Sequence, residues 1–406
     1  MSIYKACDIR GQFGTELTAA HGRRLGAAIA EMKGPVTVLV GGDGRISTPV
    51  LQEALIRSLV EAGCRVVDLG RVPTPLFYFA RQKLGIETGV MVTASHNPAR
   101  DNGFKIVLGP LPVTEAEMAD LAGRMERGAA RAAGTAGEYT RLDLAPDYLA
   151  FVSRFAPDLT GMRVVVDCAN GMAGPYARRV WQQTGAQVDC LLEEVDGGFP
   201  VHPPNPADVN NLALLRQVVE AGMADLGVAY DGDADRAVFV DDTGRPLPQD
   251  KAIVLLARDA LRDGPETIIY DQKCSRIVPD AIRASGGRPL MELSGHTFIK
   301  RAFLLENAAY AGELSGHHFL RAAGGDDALA ASLFMARIVR ESGMPLSRLA
   351  DEIPSYPVTP DIRIPMPAEE IELVLDQLQA AFQGEAALNR SDGLRIEFAD
   401  GWGLVR

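Results

Sequence analysis

Apolar positions along this chain fall into short continuous runs separated by stretches of helical period. Residues 36–40 (Val-Thr-Val-Leu-Val) predict a strand, and Thr48-Pro49 predicts an N-cap and first-turn proline for a helix that Gly63 closes. A strand over 65–69 follows, and the β-branched run over 88–93 (Thr-Gly-Val-Met-Val-Thr) predicts a further, buried one. A polar, alanine- and glycine-rich stretch over 128–137 marks a boundary. The pattern then restarts, with apolar strands at 163–167 and 226–230 running into Asp- or Gly-rich turns. It restarts again near Pro248, with a helix, a strand over 267–271 and a helix from about Asp327 to Gly343. Strands alternating with helices are the signature of α/β layers, and three similar-sized units result.

The last stretch differs. Residues 361–365 are strand-like, 369–383 are helical, and 394–398 with 402–406 read as a hairpin around Asp400-Gly401. A two-stranded hairpin is marginal alone, and a sheet ending there has little to cover its apolar face. The expectation is a fourth, α+β domain cut short.

Composition narrows the function classes. At 406 residues the chain exceeds one typical core, so roughly two to four domains are expected. A hydrophobic fraction of 47% with 23% charged residues fits a soluble globular protein. The formal charge of −12 argues against a nucleic-acid or anionic-membrane surface, so an anionic substrate must be held by a few local cations. Five widely spaced cysteines without a Cys-x-x-Cys form neither a zinc pattern nor a disulfide framework, which fits a reducing cytosol. The first residues lack an apolar signal core and no uncharged run reaches spanning length, so the expected location is the cytoplasm. No sequence feature bears on oligomeric state.

Three segments carry chemistry. At the exit of the 88–93 strand, residues 93–105 read Thr-Ala-Ser-His-Asn-Pro-Ala-Arg-Asp-Asn-Gly-Phe-Lys. Pro98 and Asn102-Gly103 hold a turn-rich loop, and His96, Asn97 and Lys105 crowd the Ser95 hydroxyl with polar and cationic groups. That suits an exposed serine doing covalent work near negative charge. Asp231-Gly-Asp-Ala-Asp-Arg236 follows a strand directly, and Gly232 lets the backbone turn so that Asp231, Asp233 and Asp235 converge. Three such oxygens ask for a hard divalent cation, and the small number favours Mg²⁺ with an outside oxygen completing its shell. Gly312-Glu-Leu-Ser-Gly-His-His318 sets Glu313 and Ser315 between glycines, where they can fork onto two sugar hydroxyls or bond backbone amides as a helix-capping loop. His317 follows directly, and histidine as a residue type suits proton transfer, though a structural histidine would look the same.

Together these segments resemble the α-D-phosphohexomutases, in particular the phosphomannomutase/phosphoglucomutase group, over essentially the whole chain. The resemblance implies that Ser95 carries a phosphoryl group between positions 1 and 6 of a hexose. It implies that Asp231, Asp233 and Asp235 hold Mg²⁺ with an oxygen from phosphorylated Ser95, and that His96 and Arg236 contact that phosphate. Glu313 and Ser315 would contact the sugar ring, His296 and Lys273 would add substrate contacts, and His317 or Lys105 would carry the proton. Asp8-Ile-Arg10-Gly11 resembles the N-terminal motif whose arginine lies beside the serine, except that Cys7 stands where a tyrosine is usual. Gly42-Asp-Gly-Arg-Ile-Ser47 resembles a first-domain signature and reads mainly as structure. Residues 400–406 match the lead-in to a loop gripping the non-reacting phosphate, with Arg406 as its first residue and impaired turnover expected without the rest. The implied fold class is α/β, with three similar mixed α/β domains (1–140, 141–247, 248–352) around a central cleft and a truncated fourth α+β domain (353–406). The implied partners are a hexose phosphate substrate and hexose 1,6-bisphosphate as intermediate or activator, with no nucleic acid and no membrane. Phosphoglucosamine mutase is an alternative, although Glu313-Leu-Ser315 and Thr93 favour mannose or glucose. A catalytically inactive phosphosugar- or metal-binding protein is another.

Overall fold

The computed structural model describes residues 3–406 except 6, 129–134, 358, 360, 361 and 363. The first unit runs β1 (Asp8–Gln12), α1 (Ala19–Lys33), β2 (Thr37–Gly42), α2 (Thr48–Glu61), β3 (Arg65–Arg71), α3 (Thr74–Leu84), β4 (Thr88–Val92), β5 (Asp101–Leu108), α4 (Glu115–Arg127) and β6 (Tyr139–Arg141). Its sheet has the order β1-β5-β4-β2-β3-β6, in which β5 runs antiparallel to both β1 and β4. Every residue of β4 is buried, as a strand covered on both faces requires. Helix α4 begins on a capping box: the Thr114 hydroxyl accepts from Glu117 N–H, and the Glu117 carboxylate accepts from Thr114 N–H. The cap of α2 is Ser47 rather than Thr48, because the Thr48 hydroxyl instead donates to Asp43 Oδ1 at 2.6 Å. The boundary expected over 128–137 lies largely outside the described residues.

The second unit runs α5 (Ala145–Ser153), β7 (Arg163–Asp167), α6 (Gly174–Gln182), β8 (Gln187–Leu191), α7 (Ala213–Gly222), β9 (Leu226–Tyr230) and β10 (Ala237–Asp241). Strands β9, β7 and β8 are parallel, and β10 pairs antiparallel at the β9 edge. The third runs α8 (Gln249–Ala260), β11 (Thr267–Asp271), α9 (Ile277–Ala284), β12 (Arg288–Glu292), α10 (His296–Leu305), β13 (Tyr310–Gly312), β14 (His318–Leu320), β15 (Gly325–Asp326), α11 (Ala328–Ser342) and α12 (Leu346–Asp351). The order β12-β11-β13-β14-β15 again puts a parallel core beside antiparallel edge strands. Helix α11 starts and stops where the sequence predicts. The Asp327 carboxylate accepts from Ala330 N–H at 3.0 Å, and Gly343 takes the left-handed closing position.

One apolar cluster crosses all three units, from Leu39 and Val67 through Val164 and Trp181 to Ile253 and Leu333. Within it, Trp181 Nε1 donates to the Tyr230 hydroxyl, which bonds Ser332 Oγ at 2.8 Å on α11. A shared core of this kind fixes the relative placement of three sheets whose strand ends must meet.

The fourth unit is α13 (Ala368–Phe382) against the antiparallel sheet β16 (Ala387–Asn389), β17 (Leu394–Glu397) and β18 (Trp402–Val405). The expected β17–β18 hairpin is present, with β16 as an added third strand. Helix α13 lays Leu375 on Leu394 and Ile396, so the sheet's apolar face is covered, where the hairpin pattern alone gave it little cover. Buried Arg395 ties this unit to the third, stacking on Trp402 and donating to the Gln272 carbonyl. The strand expected over 361–365 falls partly outside the described residues. No helix among the described residues is long and apolar enough to cross a membrane.

Candidate active site

The carboxyl ends of β4, β9 and β13 deliver Ser95, Asp231 and Glu313 to one place, the usual position for function in α/β sheets. Ser95, expected to be exposed, is instead 1% exposed because the acidic loop of the second unit covers it, and it is held at φ +50°, a strained conformation for a non-glycine residue. Its hydroxyl donates to Asp231 Oδ2 at 2.6 Å, so the serine loop and the acidic loop touch across two units. Gly232 permits this approach, since a Cβ there would lie 2.6 Å from the Ser95 carbonyl oxygen. The turn itself is made by Ala234 at φ +62°, not by Gly232.

Asp231, Asp233 and Asp235 are fully buried and offer oxygens within 4.8 Å of one another. Lys105 Nζ donates to Asp233 Oδ2 at 2.8 Å and to Asp235 Oδ2. Thr74, at the start of α3, adds its hydroxyl to Asp233 Oδ2 at 2.6 Å. The opposite oxygens, Asp233 Oδ1 and Asp235 Oδ1, are buried without a hydrogen-bond partner. Buried carboxylate oxygens left unpaired in this way, all-oxygen and convergent, fit a hard divalent cation. Burial, then Asp235 and Asp233, push Asp231 well above the usual carboxylate range. Burial would also raise Asp233, but the Lys105 ammonium more than offsets it and holds Asp233 low. Burial opposes the charge on Lys105 too, and Asp233 with Asp235 outweigh it, raising its pKa.

The Gly312–His318 segment is stitched to the acidic loop. Arg236 pairs with His317 as an isolated antiparallel bridge, and Ala237 N–H donates to the Gly316 carbonyl at 3.0 Å. Arg236 Nε donates to His317 Nε2 at 3.0 Å, which assigns the ring proton to Nδ1. That nitrogen lies 3.6 Å from Asp326 Oδ2 and 3.7 Å from Asp235 Oδ1. Asp326 also accepts from His296 Nε2 at 2.7 Å and Lys300 Nζ at 2.9 Å, and the Lys300 ammonium lies over the Tyr78 ring. Asp235, His296, His317 and Asp326 thus cluster closely, but Arg236 and Lys300 already supply the cations this group needs. Burial, followed by Arg236 and Arg10, pushes His96 down to about 2, so it stays neutral beside Ser95.

A cavity of about 320 Å³ opens between these loops, lined by Arg10, Ser95, Lys105, Arg236, His296, Glu313 and His317. Glu313 Oε2 and Ser315 Oγ are buried polar atoms without partners, and burial raises the Glu313 pKa. Arg10 reaches Asp8 at 2.7 Å and Asn97 at 3.2 Å, and Cys7 lines the same cavity. Ser315, His96, Lys273 and Arg406 do not line it: Lys273 sits partly buried after β11, and Arg406 pairs with Asp392. Sequence reasoning missed Thr74, Tyr78 and Asp326. Only Thr74 left a local signal, the Thr-Pro pair that opens α3.

Profiles of phosphoglucomutase/phosphomannomutase alpha/beta/alpha domains I, II and III match residues 1–132, 146–244 and 248–356. The chain belongs to this family. It is 38% identical to the phosphomannomutase/phosphoglucomutase of Pseudomonas aeruginosa, over all of this chain and 89% of that protein. It is 37% identical to a phosphoglucomutase of Neisseria gonorrhoeae, over all of this chain and 90% of that one. The crystal structure of a phosphoglucomutase/phosphomannomutase family protein from Burkholderia thailandensis superposes with a TM-score of 0.91 at 35% identity, covering all of this chain and 90% of that one. The fold is therefore shared, over the whole of this chain, with a solved structure of the family.

Proposed function

We propose that this chain is a phosphomannomutase/phosphoglucomutase, moving a phosphoryl group between O1 and O6 of mannose or glucose phosphate through phosphorylated Ser95. The carrying observation is the Ser95 hydroxyl at 2.6 Å from Asp231, facing a cavity whose other wall holds Glu313. The naming of the relatives as phosphomannomutase/phosphoglucomutase and phosphoglucomutase supports the same reading.

Asp231, Asp233 and Asp235 would hold Mg²⁺, which when bound offsets charge on the transferring group. In the forward step the Ser95 Oγ–P bond breaks and a bond from the free sugar oxygen to phosphorus forms, giving hexose 1,6-bisphosphate. The sugar hydroxyl's proton passes to His317 Nε2, the unprotonated ring nitrogen that Arg236 frees when it turns to the phosphate. The leaving Ser95 Oγ takes up a proton from water and becomes the hydroxyl that donates to Asp231, while His317 releases the sugar's proton to water, so one proton moves in net from sugar to serine. The bisphosphate turns around and its other phosphoryl group returns to Ser95 by the reverse path. Lys105 is the weaker proton acceptor, because Asp233 and Asp235 hold it as an ammonium. Arg10 supplies donors from the cavity wall, Glu313 on that wall accepts from a ring hydroxyl, and buried Ser315 Oγ next to it in the loop is left to bond the sugar on binding.

The test is Ser95→Ala assayed on mannose 1-phosphate and glucose 1-phosphate, with intact-mass measurement of phosphate on the parent chain. Loss of turnover together with loss of the phosphate is expected. Undiminished turnover from the variant sinks the phosphoserine mechanism.

A further inference from the structure

Arg45, in a motif that reads as mere structure, makes five hydrogen bonds, four of them to the serine loop. Its side chain is 0% exposed. Nη2 donates to the carbonyls of Ser95 at 2.7 Å and Asn97 at 2.6 Å. Nη1 donates to those of Pro98 at 2.7 Å and Asp101 at 3.0 Å, and Nε donates to Asp43 Oδ2 at 3.1 Å. A guanidinium has five N–H donors, so every one is used, four of them on main-chain oxygens between Ser95 and Asp101. The loop turns tightly before β5, where the Pro98 carbonyl also accepts from Asp101 N–H at 3.0 Å, and a buried carbonyl left unpaired is costly.

The same module sets the serine itself. Asp43 Oδ2 accepts from the Thr93 hydroxyl at 2.7 Å, and that hydroxyl accepts from Ser95 N–H at 2.8 Å. Ser95 is thus gripped at its carbonyl by Arg45 and at its amide through Asp43 and Thr93, which keeps it at φ +50°. On its outer side the guanidinium faces the Phe199 ring of the second unit, 5.1 Å from its centroid. Arg45 therefore sits where the serine loop and the acidic-loop unit meet, yet it does not line the cavity.

We propose that Arg45 is a positioning residue for phosphoryl transfer: it fixes Ser95 Oγ in register with the Asp231–Asp233–Asp235 loop without touching substrate. The inference rests on the phosphoserine reading above. A misplacement of the reacting group by about 1 Å costs on the order of 10²-fold in rate. A lysine cannot span four carbonyls with three donors on a flexible stem, so Arg45→Lys relaxes the loop while keeping the charge.

The experiment measures phosphate uptake by Ser95 from glucose 1,6-bisphosphate, by rapid quench and intact mass, in the full chain and in Arg45→Lys and Arg45→Ala. Steady-state turnover and melting temperature are recorded alongside. The expected result is a phosphorylation rate and kcat lower by about 10²-fold in Arg45→Lys, with KM within about threefold of the parent. Part of the rate should return when ethylguanidinium is added to Arg45→Ala. Arg45→Lys phosphorylated at the parent rate, or a loss confined to KM, overturns the inference while leaving the mutase reading intact. Collapse of both variants to unfolded protein overturns it in favour of a purely structural role. A parent chain that takes no phosphate from the bisphosphate overturns the phosphoserine reading, and the inference with it.

Discussion

Lys105 is the ammonium on which the acidic loop leans when no metal is bound, and removing it should expose how the loop manages its charge. Lys105→Met keeps most of the stem and deletes the contacts to Asp233 Oδ2 and Asp235 Oδ2. Both carboxylates are 0% exposed, and Arg236 pairs with Asp231 at 3.9 Å rather than with either of them. Breaking a buried pair on one side leaves an uncompensated charge, worth about 3–5 kcal/mol. The pH dependence follows from the sign of each shift. Asp233 lies below its ordinary value of 3.8, so in the parent it contributes stability above that pH and loses it as pH falls through the folded value. Without Lys105, burial is unopposed and the Asp233 pKa rises. Asp233 then behaves as Asp231 already does: its stability is full at low pH and is lost as pH rises through the raised value. The destabilisation should therefore be larger at about pH 8 than at about pH 5. It should also be relieved by metal, because Mg²⁺ at the unpaired Oδ1 atoms supplies the positive charge that Lys105 no longer brings to the Oδ2 side. Thermal melts with chelator and with saturating Mg²⁺, at both pH values, read all three effects. If the variant melts like the parent without metal, or gains no more from Mg²⁺ than the parent does, Lys105 is not the counter-ion described here.

Glu313→Gln replaces a buried carboxylate with an orphan oxygen by a neutral amide, and should lower kcat/KM for hexose phosphate by about 10- to 100-fold, the worth of one charged hydrogen bond. Mg²⁺ affinity measured by thermal shift should be unchanged, and a change there would tie Glu313 to the metal instead. Tyr230→Phe removes the hydroxyl that joins Trp181 to Ser332, leaving the buried indole N–H unpaired at a cost of about 1–3 kcal/mol. Denaturant unfolding should show that loss, and a variant as stable as the parent would mean the indole N–H finds another partner.

What the sequence made legible follows the range over which each feature is encoded. Strand β4 and helix α11 were readable because burial on both faces and an Asp-to-Gly frame are written within the element. The metal and serine loops were readable because a cation and a phosphoryl group need several ligands from one short stretch. Strand β16 was not, since three residues carry no period and pairing with β17 decides their state. Nor could local pattern say that the first turn of α2 would lend its Thr48 hydroxyl to Asp43 instead of capping the helix.

The harder omissions join residues far apart in the chain. Thr74 meets Asp233 from 159 positions away, and Arg45 reaches the Ser95 carbonyl from 50. Arg45 stood inside a motif singled out from the start, yet its chemistry was invisible because main-chain carbonyls carry no side-chain signature. A sequence names the partners of a carboxylate by their charge, whereas a carbonyl acceptor can belong to any residue. The reading of Gly232 failed for the same reason. It was credited with a turn that Ala234 makes, while its real constraint is the Ser95 carbonyl 2.6 Å from where its Cβ would be. Both corrections concern the backbone of one loop, and both point the same way. Ser95 is set less by its neighbours in the chain than by a buried guanidinium on one side and a glycine that makes room on the other.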